Sequence, residues 1–419
     1  MYIMNYFLLP EINKNITTKN IELQYNNADE INIYLSKTLH TYLNNLKKEI
    51  DKYPTEWDNV KKYTNTYEFI HTNVPNYKYS ISKLKPISRS FYKMVELCNI
   101  FNILDKYKFN NIKSFHIAEG PGGFIEALNH MRNNDKDIYY GMTLINDDPN
   151  VPGWNKTKHF LNNNSNKVRL EYGKDNTGNI LHKENLQYCY DKYNNNFDII
   201  TADGGFDFSV DFNMQENMAI NLIFAEVCFA IATQKLGGNF ILKIFDFFSK
   251  STIDILYFLC LFYEKVYIVK PYTSRLANSE KYIICLNFKK IENYQEVMNK
   301  IIENYDNLKN EKRLSSFLNN YESLFFINKL EEINAILGQQ QMENISYTLS
   351  LLYKKTNNTV KYEQLKSSNI QKCIQWCGKN NIPHNNIQIN NISDNFFLRK
   401  RSNSISVDIN EEIQEEIKT

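Results

Sequence analysis

Apolar residues at Phe91, Met94, Val95, Cys98, Phe101 and Leu104 recur at three- and four-residue spacing, which predicts a helix beginning near Ser90. Beyond it, short apolar runs predict strands at 114–118, 138–143, 167–171, 197–202, 239–245, 264–269 and 281–288. Helical patterns occupy 123–132, 213–235 and 250–263 between them. The longest is amphipathic through Ile220, Ile223, Phe224, Val227, Cys228 and Ile231. Alternation of this kind predicts an α/β fold, a mostly parallel seven-stranded sheet with helices on both faces. Its ligand site is expected at the C-terminal ends of the strands.

The flanks read differently. Residues 1–85 mix helical and irregular signals, with polar breaks at Asn26–Asn27 and Thr72–Asn76. Past Lys290, residues 292–380 read as several helices with no further strands. From about residue 392 the chain reads as a solvated tail, with a basic cluster at Arg399, Lys400 and Arg401 and acids at Glu411, Glu412, Glu415 and Glu416. Four parts follow: a helical N-terminal extension (1–85), a central domain (86–290), a helical C-terminal extension (291–391) and a tail (392–419).

Composition narrows the options. A chain of 419 residues with 42% hydrophobic and 14% aromatic residues can bury a proper core. A net charge of +2 means that any nucleic-acid affinity must come from a local patch. Seven scattered cysteines with no Cys-x-x-Cys pair favour neither a zinc site nor a disulfide framework, which suits a reduced, intracellular compartment. Met1–Pro10 lacks the basic residue of a leader, and Ile253–Tyr263 is short and carries Asp254, so no membrane role is expected. Asn clusters such as Asn162–Asn164 and Asn194–Asn196 look like the imprint of an AT-rich genome.

Between the strand ending at Ala118 and the helix opening at Phe124 lies Glu119-Gly120-Pro121-Gly122-Gly123. No Gly-Lys-Ser/Thr follows, so this is not a phosphate loop, and its spacing departs from a dinucleotide fingerprint. It suits a ligand with ribose, adenine and an amino-acid arm but no pyrophosphate, as in S-adenosylmethionine. Polar groups also sit near strand ends in apolar surroundings: Asp203 after 197–202, Lys243 within 239–245, and Glu280 before 281–288, with Lys93 upstream. A lysine in such a strand is costly unless paired or neutral. Taken singly, each could be an ordinary salt bridge.

Lys93, Asp203, Lys243 and Glu280 fall in the order of the Lys-Asp-Lys-Glu tetrad of FtsJ/RrmJ-type ribose 2′-O-methyltransferases, which the chain resembles over roughly residues 85–290. Within that superfamily it looks most like the eukaryotic and large-DNA-virus mRNA cap ribose methyltransferases. The shared phrases are Gly120–Phe124, Gly141–Leu144, Ala202–Phe206, Gln215–Asn217, Leu242–Asp246, and Lys270-Pro271 through Asn278–Glu280. The resemblance implies a Rossmann-like SAM-dependent methyltransferase fold. It implies S-adenosylmethionine as cofactor, held by Ser88, Glu119, Gly120, Pro121, Gly122, Gly123, Phe124, Asn179, Ile180 and Asp203, and no metal. Asn179 and Asn176 depart from the Asp and Gly of the related adenine-side loop. The tetrad is implied to be catalytic, with Lys243 as general base.

A ribose hydroxyl must be aligned with the methyl donor and lose its proton as the bond forms. An ordinary lysine, with a pKa near ~10.4, is too basic for that task. Burial and the neighbouring Lys93 ammonium are therefore expected to favour the neutral amine of Lys243. Residues 78–93 contain Lys78, Lys83, Lys85, Arg89 and Lys93 with Tyr79, Phe91 and Tyr92, a pattern suited to phosphate contacts with stacking. The resemblance adds Asn213, Met214, Gln215 and Asn278 as substrate contacts. Trp57, Tyr67 and His71 are candidates for holding a methylated guanine. The implied substrate is the first transcribed nucleotide of capped mRNA, with other capping or transcription proteins as candidate partners. The implied setting is the cytoplasm or viral factory, or the nucleus for a cellular protein. Methylation of ribosomal or transfer RNA, and a silent RNA-binding scaffold, stay open as alternatives.

Overall fold

The computed structural model describes residues 6–387, apart from 28–31, 149–150, 206–211, 310–311, 320–322 and 354–358. The tail at 392–419 and Phe206 of the third shared phrase lie outside the described residues.

The N-terminal part supplies strands β1 (Tyr6–Leu8) and β2 (Ile21–Asn26), then helices α1 (Lys37–Ile50) and α2 (Pro54–Thr64). The central part begins with α3 (Ser90–Ile100), β3 (Lys113–Ile117), α4 (Gly123–Arg132), β4 (Ile138–Met142), α5 (Lys158–Asn163) and β5 (Val168–Leu170). It continues through α6 (Lys183–Tyr193), β6 (Phe197–Ala202), α7 (Gln215–Thr233), β7 (Gln234–Ile244), α8 (Lys250–Phe262), β8 (Tyr263–Val269) and β9 (Lys281–Phe288). After it come α9 (Tyr294–Glu303), β10 (Arg313–Leu318), α10 (Leu324–Tyr353) and α11 (Thr359–Lys379).

The central sheet runs in the order β1-β8-β9-β7-β6-β3-β4-β5. Strands β5, β4, β3, β6 and β7 pair in parallel, and β9 inserts antiparallel between β7 and β8. These are the seven expected strands. The eighth, β1, comes from the N-terminal extension and pairs antiparallel with β8. Side chains alternate between the two faces, as a pleated strand requires. Along β9, Ile283 and Cys285 enter one core with α7 and α8, while Tyr282 and Ile284 enter the other with α3 and α4. Fully burying one such aliphatic or aromatic side chain contributes about 1.5–3 kcal/mol. Helix α7 is apolar and long enough to cross a membrane by length and composition, but most of it is packed inside the protein. All seven cysteines are free and buried.

Two expectations for the flanks need correction. The stretch 292–380 does contain a strand: β10 pairs antiparallel with β2 in a separate two-stranded sheet. Its sequence, Arg-Leu-Ser-Ser-Phe-Leu, lacks apolar alternation. Its backbone is held instead by a buried acid of α8: Asp254 Oδ2 accepts from the Phe317 and Leu318 amides and from the Ser316 hydroxyl at 2.8–3.1 Å. Nor is the N-terminal extension wholly helical, since its β1 joins the main sheet and its β2 pairs with β10. Helices α1 and α2 share a third core with α10 through Leu43, Trp57, Val60, Ile345 and Leu349. Asp246, just past β7, ties this unit down by accepting from Lys47 of α1 at 3.0 Å and Lys281 of β9 at 2.9 Å.

Candidate active site

After β3 the chain goes to β4 on one side and later returns to β6 on the other, so the crevice of the sheet opens above β3 and β6. There the turn after β3 and the Asp203–Gly205 turn after β6 nearly touch: a side chain on Gly204 would come within 2.9 Å of Ala118 Cβ. Gly122 opens α4 with φ +107°, a conformation that side chains strain to adopt. A Cβ on Gly123 would lie 2.1 Å from Ser90 Oγ and 2.4 Å from Ser88 Oγ. These glycines are required by the backbone and by packing on α3. Ser88 belongs to that packing, joined to Ser90 by a short hydroxyl–hydroxyl hydrogen bond.

Glu119 is buried in the turn. Its Oε1 accepts the Phe124 N–H at 2.6 Å, while its Oε2 is buried without a partner. Burial, and then the charge of Asp203, push its carboxyl well above the usual carboxylate range. A carboxyl with an unmatched oxygen beside a second carboxylate fits a cationic ligand, and S-adenosylmethionine carries a sulfonium and an ammonium. The 173–182 loop docks on the end of β4, where Ile145 N–H donates to Thr177 O at 2.8 Å. Asn179 is already committed inside that loop: its Oδ1 accepts from Leu181 N–H and its Nδ2 faces His182 Nε2, both at 3.0 Å. Ile180 is buried, and its carbonyl accepts from Tyr305 at 2.7 Å.

The structure brings Lys93, Asp203, Lys243 and Glu280 into one buried cluster. Lys93 Nζ donates to Glu280 Oε2 at 2.7 Å. Lys243 Nζ donates to the Asp203 carbonyl at 2.7 Å and lies 3.3 Å from its carboxylate. Tyr282 joins the two halves, donating to Asp203 Oδ1 at 2.9 Å and lying 3.4 Å from Lys93 Nζ. Register explains this: Tyr282 pairs directly with Lys243 across β7 and β9, and Glu280 sits just ahead of β9. Ser274 steadies Glu280 Oε1 at 2.8 Å, and Lys270 donates to the Glu280 carbonyl at 2.7 Å.

The charge states differ from expectation in one respect. Burial lowers the Lys93 ammonium, and the nearby Arg89 adds to that, so its pKa falls despite Glu280. For Lys243, burial is outweighed by the carboxyls of Asp203, Glu280 and Glu226, and its pKa rises above the ordinary lysine value. The neutral amine expected from burial and Lys93 is therefore not the resting state. Burial opposes ionisation of Glu280 as well, but Lys93, Lys243 and Arg89 together hold it well below the usual range.

Other predicted residues are more dispersed. Gln215 Oε1 accepts from Ser279 at 2.5 Å, and Asn278 Oδ1 accepts from Lys270 at 2.6 Å, so both brace the loop ahead of Glu280. Asn213 and Met214 form the turn that opens α7. Lys78, Tyr79, Lys83 and Lys85 are exposed, as RNA contacts require. Phe91 and Tyr92 are not: both are core residues of α3, and Tyr92 donates to the Leu84 carbonyl at 3.1 Å. Trp57 is also core, and burial, then the Arg89 charge, lower His71 to about 4. Sequence reasoning missed Tyr282, Lys270 and Glu226. Lys270 was visible in a shared phrase without a role, Tyr282 is one of 29 tyrosines, and Glu226 hides in the apolar stretch of α7.

A parallel sheet with a glycine-rich turn and an acid at its switch point is the architecture of the Rossmann-like methyltransferase fold, and a buried Lys-Asp-Lys-Glu cluster lies beside it. Residues 86–288 match the family described as FtsJ-like methyltransferase. The chain is 31% identical over 279 residues to cap-specific mRNA (nucleoside-2′-O-)-methyltransferase 2 of Drosophila melanogaster, covering 60% of this chain and 37% of that protein. It is 27% identical over 383 residues to the protein of the same name from Pongo abelii, covering 89% and 48%. It is 34% identical over 178 residues to cap-specific mRNA (nucleoside-2′-O-)-methyltransferase 1 of Trypanosoma brucei brucei, covering 41% and 46%. The chain thus spans less than half the length of these three curated relatives.

Proposed function

We propose that the chain is a SAM-dependent RNA ribose 2′-O-methyltransferase acting on capped mRNA at the first transcribed nucleotide. The observation that carries this reading is the tetrad: two lysines and two acids, remote in sequence, meet where the sheet opens its ligand crevice. The names of the relatives supply the capped substrate. They include both numbered types, so the choice of nucleotide rests on the resemblance of the central motifs.

Bound S-adenosylmethionine would be held by the Glu119–Phe124 turn and Asp203, and would supply a methyl group already activated on a positive sulfonium. The protein's own part is to orient the acceptor and remove its proton. Asp203, itself held by the Tyr282 hydroxyl, fixes the Lys243 amine, and Lys93 is paired with Glu280 in the same cluster. Lys243 is the proposed base. Its raised pKa depends on a surplus of carboxyls, and a cationic ligand in the same crevice offsets that surplus and favours the neutral amine. Exposed Lys78, Lys83 and Lys85 would hold the RNA backbone.

The test compares methyl transfer to capped and uncapped RNAs of one sequence. A strong preference for the capped RNA is expected; equal rates would return the reading to ribosomal or general RNA.

A further inference from the structure

One peptide group beneath the tetrad is held at both ends. Its carbonyl, that of Asp203, accepts from Lys243 Nζ at 2.7 Å, and its N–H, that of Gly204, donates to Glu226 Oε1 at 3.0 Å. Glu226 stands fully buried on α7, and its second oxygen is buried without a hydrogen-bond partner. The turn is shaped around both groups. A Cβ on Gly204 would lie 2.3 Å from Glu226 Oε1, and one on Gly205 would lie 3.3 Å from Lys243 Nζ.

Holding the Gly204 N–H does not by itself call for an acid, because a glutamine oxygen accepts the same bond. A buried carboxyl with one oxygen unmatched is a cost to the fold. What the acid adds is charge. A carboxylate at the N–H end polarises the peptide, and the carbonyl at its other end becomes a stronger acceptor for the Lys243 ammonium.

Lys243 is faced by Asp203 after β6, Glu280 and Tyr282 at the start of β9, Lys93 of α3, Glu119 of the glycine-rich turn and Glu226 of α7. Glu226 is faced by Lys243, Asp203 and Tyr305, which follows α9. Glu280 is engaged with Lys93 and Ser274, and Asp203 with Tyr282. Glu226 changes charge just above neutrality, since burial raises its carboxyl to about 8.

We infer that Glu226 is a positioning residue of the methyl-transfer site: through the Asp203–Gly204 peptide it aims the Asp203 carbonyl at Lys243, and its charge sets how firmly Lys243 keeps its proton. The inference rests on the reading of Lys243 as the base. The two protons are coupled. As pH rises the Glu226 carboxyl ionises first, and its charge then delays loss of the Lys243 proton.

The experiment reads Lys243 directly. The full chain is trace-labelled with acetic anhydride from about pH 7 to about pH 11, the range in which a lysine titrates. Mass spectrometry of the peptide carrying Lys243 gives its midpoint, and kcat on capped RNA at saturating S-adenosylmethionine is followed over the same range. Glu226→Gln keeps the acceptor and loses the charge. The Lys243 midpoint should fall by at least about half a pH unit, roughly threefold in proton affinity. The alkaline rise in kcat should move down with it, with the plateau unchanged. Glu226→Leu loses the acceptor as well, and its plateau kcat should fall at least tenfold. A Lys243 midpoint unmoved in Glu226→Gln, or a wild-type plateau in Glu226→Leu, overturns the inference. A midpoint that moves in a chain whose Lys243→Ala variant keeps full turnover would keep the link between Glu226 and Lys243 and overturn Lys243 as the base instead.

Discussion

Around Lys243, three carboxyls outweigh the cost of burying an ammonium, so its proton is held until the balance of charge in the crevice changes. Lys243→Ala should keep the fold and cofactor binding, because Leu242 and Ile244 still fill the core of β7. Its turnover should fall by about 10²–10⁴-fold, the scale of a lost general base. Lys243→Arg should be nearly as poor, since a guanidinium stays protonated; near-normal turnover in that variant would make the group a fixed charge rather than a base. Turnover of the wild type should rise with pH from neutral into the alkaline range. Glu226 makes a separate pH prediction. Burial raises its carboxyl to about 8, and its Oε1 accepts the Gly204 N–H at 3.0 Å. An acid with a raised folded-state pKa binds more protons folded than unfolded, so stability should fall as pH rises from about 4.5 to about 8. The slope should reach at most about 1.4 kcal/mol per pH unit. Glu226→Gln should flatten that slope in urea melts across the same window.

The central strands are legible in sequence because strands buried on both faces read as continuous apolar runs. The glycine-rich turn is legible for a different reason, since few roles demand so many glycines between a strand and a helix. Its physics is more local than the sequence suggests: Gly122→Val should weaken cofactor binding at least tenfold because φ +107° is barred to a branched side chain. Isothermal titration with S-adenosylmethionine checks this, and unchanged affinity would remove the turn from the cofactor site. Strand β10 is not legible, because its stability comes from a partner strand nearly 300 residues away and from the Asp254 carboxylate. Asp254→Ala should therefore cost roughly 3–5 kcal/mol, leaving Lys250 and the β10 amides without their acceptor. A denaturant melt with an unchanged midpoint would contradict that account.

Across the whole molecule, the acids and lysines of the tetrad could be picked out because charge in an apolar strand end is rare. Tyr282 and Lys270 could not, since their roles depend on the pairing of β7 with β9 and on the fold of the 270–280 loop. The flanks were the least legible part: their helices complete a third core, which no local pattern encodes. With a net charge of only +2, the proposed RNA affinity has to come from a local patch, and the exposed basic stretch at Lys78, Lys83 and Lys85 is the one proposed. Reversing those charges should raise the KM for RNA more than it lowers kcat, and wild-type affinity should weaken with salt. The measurement that tests the central claim most directly is methyl transfer from S-adenosylmethionine to a capped transcript, with mass spectrometry locating the new methyl group. The account predicts a methyl on the ribose 2′-oxygen of the first transcribed nucleotide, lost in Lys243→Ala. A methyl on a base, or transfer that survives Lys243→Ala undiminished, would contradict it.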